Sequence, residues 1–209
     1  MPDSHPRVCI SAGHGLGSRK DGQVDPGANV AGMDYEEADV TLSVAKSVYR
    51  DFARLFAVKG RGYVFLRDEG RFYLADDDAV KRACDVFVEL HTDAASKSAT
   101  GTSCLYEAQS DKPLAVDMAT RVSVALGTVN RGAKNRTDLA VLNPHRHITQ
   151  VLLEMFFGTN PNDVAKYRAH RDALVLAIVN SILHGRGWNP LRKRPSKMTK
   201  AALRLYKPY

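Results

Sequence analysis

The chain has three cysteines, Cys9, Cys84 and Cys104, and no C-x-x-C pair. That excludes a zinc ribbon and a dithiol redox motif. Cys9 and Cys84 lie in or beside apolar runs and read as small core residues. A chain of 209 residues buries roughly 70% of its unfolded surface, so it needs no disulfide staples. No apolar run approaches the roughly 20 residues of a membrane span. The opening Met1-Pro2-Asp3-Ser4-His5-Pro6 lacks the basic-then-apolar pattern of a secretory leader, so cytoplasmic synthesis is expected. No internal repeat is visible. Acids are missing from the C-terminal end, where Arg186, Arg192, Lys193, Arg194, Lys197, Lys200, Arg204 and Lys207 stand without a counter-charge. These eight exceed the net charge of +7 and leave residues 1–185 at −1. The excess charge therefore belongs to a tail, 186–209, and not to a cleft in the body, 1–185.

What is present is an alternation of strands and helices. Val8–Ser11, Tyr63–Arg67, Val86–His91, Gly101–Ala108, Leu139–Leu142 and Gln150–Phe157 read as strands. Asp34-Tyr35-Glu36-Glu37 fits a D-x-x-E helix start, followed by Val40, Val44, Val48 and Phe52 at intervals of four and a stop at Gly60. Helices are also expected over Phe72–Cys84, around Leu114, Met118, Val122 and Leu126, and over Val164–Leu183 with Tyr167, Leu174, Ile178 and Ile182 inward. The pattern predicts a single α/β domain: a twisted, mostly parallel sheet of about six strands, helices on both faces, and a basic C-terminal tail. A short tail helix over Ser196–Tyr206 fits the spacing of Met198, Ala201, Ala202 and Leu205.

Four residues stand out for chemistry. His14, between Gly13 and Gly15, and His91 each sit at the C-terminal end of a strand, the edge where open α/β sheets gather ligands. Glu37 lies in the first turn of a helix. Glu154 interrupts the apolar run Val151–Phe157 and faces opposite to Leu153 and Met155. Buried there without a partner it would cost several kcal/mol. Two histidines and a carboxylate form a hydrolytic zinc set, with the fourth position left to water and a further carboxylate for general acid–base work. On the residues alone, polar surface histidines remain the competing reading. Gly13-x-Gly15-x-Gly17 imitates a nucleotide loop, but no helix opens there.

Six segments fall in order along the chain: Gly13-His14-Gly15, Asp25-Pro26-Gly27-Ala28, Glu37-Ala38-Asp39-Val40-Thr41-Leu42, Phe87-Val88-Glu89-Leu90-His91-Thr92-Asp93-Ala94, Arg131-Gly132-Ala133-Lys134 with Val141-Leu142, and Leu152–Asp163. In this order they resemble the zinc-dependent N-acetylmuramoyl-L-alanine amidases of bacterial autolysins and phage endolysins, from about Val8 to Leu183. The resemblance implies that His14, Glu37 and His91 are zinc ligands and Glu154 the catalytic carboxylate. It implies hydrolysis of the amide between N-acetylmuramic acid and the L-alanine of the peptidoglycan stem peptide.

This chain departs from the family pattern at Glu89, where a serine is usual, at Asp93, and at Met155 and Phe156. Glu89 shares a strand face with His91; it either orients that imidazole from behind or pairs with a nearby cation, and the second is slightly favoured. Arg131 and Lys134 are candidate contacts for a stem-peptide carboxylate. His145 and His147 read as surface residues. The expected setting is a phage endolysin for host lysis, made in the host cytoplasm and released to act on the wall in the periplasm. The basic tail is expected to favour an anionic envelope, lipopolysaccharide or anionic lipid. No nucleic-acid partner is expected, and the chain should be a monomer. The alternatives are a bacterial autolysin, a zinc carboxypeptidase or endopeptidase acting on the stem peptide, and a non-catalytic binding module led by the tail.

Overall fold

The computed structural model describes residues 6–15, 17, 23–60, 62–69, 75–142 and 148–195. Six strands, β1 (Arg7–Ala12), β2 (Tyr63–Arg67), β3 (Val86–Asp93), β4 (Thr102–Tyr106), β5 (Asn130–Asn135) and β6 (Thr149–Phe157), form one sheet in the order β2-β1-β3-β6-β4-β5. β4 runs antiparallel to β6, and the other neighbouring strands are parallel. Four helices, α1 (Glu37–Lys59), α2 (Ala75–Lys81), α3 (Lys112–Leu126) and α4 (Pro161–Gly185), complete the α/β domain.

Strand alternation divides the sheet into two unequal faces. Val86, Val88 and Leu90 of β3 and Val151, Leu153 and Met155 of β6 enter one core with α1, α3 and α4. Phe87 and Leu152 enter a smaller cluster on the other face, with Ala75 and Ala79 of α2 and with Val141 and Leu142. Glu89 and His91 alternate with the first set, as Glu154 does, and so belong to the thinly covered face. Helices do lie on both faces, but the three long ones share one of them.

In α1 the four-residue spacing does what it predicts: Val40, Val44, Val48 and Phe52 are fully buried. Gly60 ends the helix in the left-handed conformation, its N–H reaching Phe56 O. The start lies two residues later than Asp34 suggests. Glu36 is the N-cap, and the Asp39 carboxylate accepts its backbone N–H at 3.1 Å. The cap is thus set by the acid inside the first turn, and this makes Glu37 the first helical residue.

Two segments differ from the sequence reading. Leu139–Leu142 is not a strand; it is a turn whose Val141 and Leu142 seal the thin face, so its apolarity reflects packing and not sheet pairing. The strand is instead Asn130–Asn135, a polar edge strand paired to β4, with no alternation to reveal it. The second helix covers 75–81 within the expected Phe72–Cys84.

The described part of the tail, 186–195, lies on the body. Trp188 meets Phe56 edge-on at 6.0 Å. Asn180 exchanges two hydrogen bonds with the backbone of Leu191, at 2.7 and 3.0 Å. Arg194 pairs with the fully buried Asp51 at 2.6 Å and also with Asp172. Arg186 stands 3.9 Å from Asp85. The helix expected over 196–206 lies outside the described residues.

Candidate metal centre and active site

β1 ends at Ala12, and the chain turns through Gly13 and His14. The turn is held from two sides: Gly13 N–H donates to Leu90 O at 2.9 Å, and Thr41 Oγ1 of α1 donates to Gly13 O at 2.7 Å. A Cβ at Gly13 would lie 2.5 Å from the imidazole of His91, so the glycine makes room for that ring. His14 itself has φ 62°, a left-handed conformation uncommon for a side-chain-bearing residue. Gly15 and Asp25 then exchange backbone hydrogen bonds at 2.7 and 3.0 Å. This folds the loop back and brings Asp25 Oδ2 to 3.1 Å from His14 Nδ1. At Gly27 a Cβ would stand 2.8 Å from Glu37 Oε2 and 2.9 Å from the His14 ring, so the Asp25–Ala28 segment packs directly on the site.

Glu37 is the centre of the arrangement and is 3% exposed. Its Oε1 accepts the Thr92 N–H at 2.8 Å and faces His91 Nδ1 at 3.2 Å. Its Oε2 accepts the Ala28 N–H at 3.2 Å and faces His14 Nε2 at 3.3 Å. The helix N-terminus adds positive partial charge. Burial pushes the Glu37 carboxyl up, but the hydrogen bonds from His14 and His91 outweigh it and hold the group well below the usual carboxylate range. Burial likewise works against both imidazolium forms. The bond to Glu37 reverses this, raising His14 and, with help from Glu89, holding His91 at about 10.

Glu154 stands beside this group, because β3 and β6 pair with His91 opposite Glu154. Its Oε2 is buried without a hydrogen-bond partner. Burial is the main cause that lifts its carboxyl to about 7. Glu89, 1% exposed, places Oε1 at 3.7 Å from His91 Nε2. Beside them is a cavity of about 240 Å³, lined on one side by His14, Asp25, Glu89 and His91 and on the other by Leu139, Ala140, Val141 and Leu152.

The donor set fits a divalent cation. Ligand atoms of His14, Glu37 and His91 all lie within 4.8 Å of one another. Donors bound to a tetrahedral zinc at its usual bond lengths stand about 3.4 Å apart, and the two His–Glu37 contacts are 3.3 and 3.2 Å. Four carboxylates, those of Asp25, Glu37, Glu89 and Glu154, gather around two imidazoles, so negative charge is in excess even when both rings are protonated.

The structure thus brings together His14, Glu37, His91 and Glu154, with Glu89 adjoining. It does not bring Arg131 or Lys134 to the cavity lining. The Arg131 guanidinium lies 5.0 Å from the Phe157 ring centre and reaches Thr100 O at 3.4 Å. Lys134 is on the edge strand β5. His145 and His147 lie outside the described residues. Asp25 also lines the site, beside His14; its signal in the sequence is the Asp25-Pro26-Gly27-Ala28 motif.

Comparison with known proteins places this geometry in a family. Residues 8–184 match the family model described as N-acetylmuramoyl-L-alanine amidase. The uncharacterized protein YqiI of Bacillus subtilis (strain 168) is 29% identical over 184 residues, covering 84% of this chain and 82% of its own. The N-acetylmuramoyl-L-alanine amidase LytC of the same organism is 26% identical over 181 residues, and the chain spans about a third of its length, 34%. Among solved structures, the catalytic domain of CwlV, an N-acetylmuramoyl-L-alanine amidase from Bacillus (Paenibacillus) polymyxa var. colistinus, superposes with a TM-score of 0.73 at 22% identity, covering 88% of this chain and 99% of that one.

The buried Glu154 carboxyl has a consequence for stability in the metal-free protein. Its folded pKa of about 7 exceeds the unperturbed value of 4.5, so the folded state binds the extra proton between the two. Stability is therefore lost as pH rises through that window, and the penalty is complete above it. Glu154→Gln should raise the metal-free unfolding midpoint by a few degrees at pH 8 and leave it unchanged near pH 4, measured by calorimetry. An equal shift at both pH values would contradict the assignment.

Proposed function

The chain belongs to the N-acetylmuramoyl-L-alanine amidase family and is a peptidoglycan hydrolase, and on that premise we propose that it cuts the amide between N-acetylmuramic acid and L-alanine with a zinc ion held by His14, Glu37 and His91. The observation that carries the zinc reading is the convergence of those three donors within 4.8 Å beside Glu154, whose Oε2 is buried without a hydrogen-bond partner. Bound zinc supplies Lewis acidity and water whose pKa falls to about 7.

The rest of the chemistry rests on the chain's own groups. Asp25 and Glu37 hold the His14 ring from its two nitrogens, at 3.1 and 3.3 Å. The carboxyl of Glu154 takes the proton of the attacking water and returns it to the leaving amine. The apolar wall of Leu139, Ala140, Val141 and Leu152 lowers the local dielectric and strengthens these interactions. Arg131 and Lys134 are proposed as contacts to a stem-peptide carboxylate outside the cavity. Digestion of purified peptidoglycan should release stem peptides with an L-alanine N-terminus, identified by mass spectrometry. A chelator should stop the release and added zinc restore it. Glu154→Ala should retain zinc while the rate falls at least about 10²-fold. Products cut within the stem peptide would indicate a carboxypeptidase or endopeptidase instead, and chelator-resistant release would end the zinc reading.

The endolysin setting is a proposal beside that of an autolysin. Protein that appears only on prophage induction would decide for the endolysin; constitutive expression would decide against it. No helix among the described residues is long and apolar enough to cross a membrane.

The tail is proposed to bind anionic envelope surfaces. Arg192 and Lys193 are exposed, whereas Arg186 and Arg194 are drawn to acids of the body. A cation near an anionic lipid surface is worth about 1 kcal/mol before screening. Because body contacts continue to Pro195, whose carbonyl accepts from Arg54 at 3.4 Å, the truncation that spares the fold begins at residue 196. It should keep hydrolysis of soluble fragments and lose most salt-sensitive binding to anionic vesicles. Unchanged vesicle binding at low salt would exclude the role.

A further inference from the structure

We propose that Glu89 is a positioning residue for the metal ligand His91, holding the imidazole from the side opposite the ion; this rests on the zinc reading above. His91 has two ring nitrogens with different surroundings. Nδ1 faces Glu37 at 3.2 Å and so belongs to the side where the three donors converge. Nε2 is the nitrogen left over, and Glu89 Oε1 stands 3.7 Å from it. A histidine that gives one nitrogen to a metal carries its proton on the other, and the acceptor of that proton sets the tautomer and the ring's orientation.

The surroundings leave Glu89 as the acceptor. The Cε1–Nε2 edge of the ring lies against Gly13, and the neighbouring Leu90 carbonyl already accepts the Gly13 N–H at 2.9 Å. Glu89 is 1% exposed, and its Oε2 is buried with no hydrogen-bond partner, so the carboxylate is not there to meet solvent. The pairing with a cation that the sequence slightly favours has one candidate in the same cross-strand row, Arg67, since Ser11 pairs with Arg67 on one side and Glu89 on the other. The Arg67 Nε donates to Asp78 at 3.0 Å, so that guanidinium already has a carboxylate partner. At 3.7 Å the Glu89–His91 contact is a charge contact, and a ring movement of about half an ångström turns it into a hydrogen bond.

The other histidine repeats the arrangement. His14 turns Nε2 to Glu37 and Nδ1 to Asp25, as His91 turns Nδ1 to Glu37 and Nε2 to Glu89. One carboxylate thus sits between the two rings and one behind each. Asp25 comes from a loop and Glu89 from β3, so the parallel is one of chemistry and not of local structure.

The test is a zinc titration of the full chain against a chromophoric chelator, for the parent, Glu89→Gln and Glu89→Ala, with the metal-free unfolding midpoint measured alongside. Loss of such a partner weakens metal binding about 10–100-fold. Glu89→Ala should show that loss, and Glu89→Gln, which keeps an acceptor oxygen without the charge, should recover part of it. Glu89→Gln, which keeps the side chain's volume, should leave the metal-free midpoint within a few degrees of the parent's while zinc affinity falls, whereas a merely structural role would lower the midpoint and leave zinc affinity alone. Zinc affinity within two-fold of the parent in both variants overturns the proposal. If Glu89→Ala fails to fold, Glu89→Gln decides by the same two-fold criterion. A parent that binds no zinc overturns the metal reading itself, and this proposal with it, and the same titration distinguishes that case.

Discussion

The carboxylate of Glu37 is shared by two imidazoles, each oxygen facing one ring and accepting one backbone N–H, from Thr92 on one side and Ala28 on the other. A buried carboxylate tolerates this position because every direction around it supplies positive charge or a donor. The constraint propagates outward. The helix must begin at residue 37, which the acid at position 39 secures. The chain must approach without side chains at Gly13 and Gly27, because the rings and the carboxylate fill that space. The β1 and β3 ends must be neighbours, which the parallel register provides.

The unequal cover of the sheet serves the same end. Three long helices bury one face and supply the main core. The other face carries a short helix and a turn, and it is there that β3 and β6 present Glu89, His91 and Glu154. Placing a polar, charge-dense group under a long helix would bury it beyond reach of substrate. Under a thin layer burial lifts Glu154, while a cavity reaches Glu89 and His91. Glu37 and Glu154 show how far environment separates two carboxylates in one site: hydrogen bonds from the two imidazoles hold the first low, and burial holds the second high.

Much of this was legible in the sequence, for identifiable reasons. Helix α1 and strands β1, β3 and β6 carry strong periodicity or long apolar runs, and their burial is what periodicity encodes. The four principal site residues came from motif order and not from spacing, since His14, Glu37, His91 and Glu154 are joined by register across separate elements. No local pattern states that His91 pairs with Glu154. Strand β5 was missed because an edge strand needs backbone partners but no alternating side chains. Leu139–Leu142 was misread because apolar residues that seal a sheet face look like residues within one. Asp25 is signalled only by its motif; the fold-back of its loop by two backbone hydrogen bonds is what brings it to His14.

The central claim is that two imidazoles and Glu37 form a single metal site. Crystals of the zinc-loaded protein, measured on both sides of the zinc absorption edge, test it most directly. The account predicts one strong anomalous peak within about 2.0–2.2 Å of His14 Nε2, a Glu37 oxygen and His91 Nδ1, with Glu89 on the far side of the His91 ring. A peak bonded to Glu89, or none near Glu37, would contradict it.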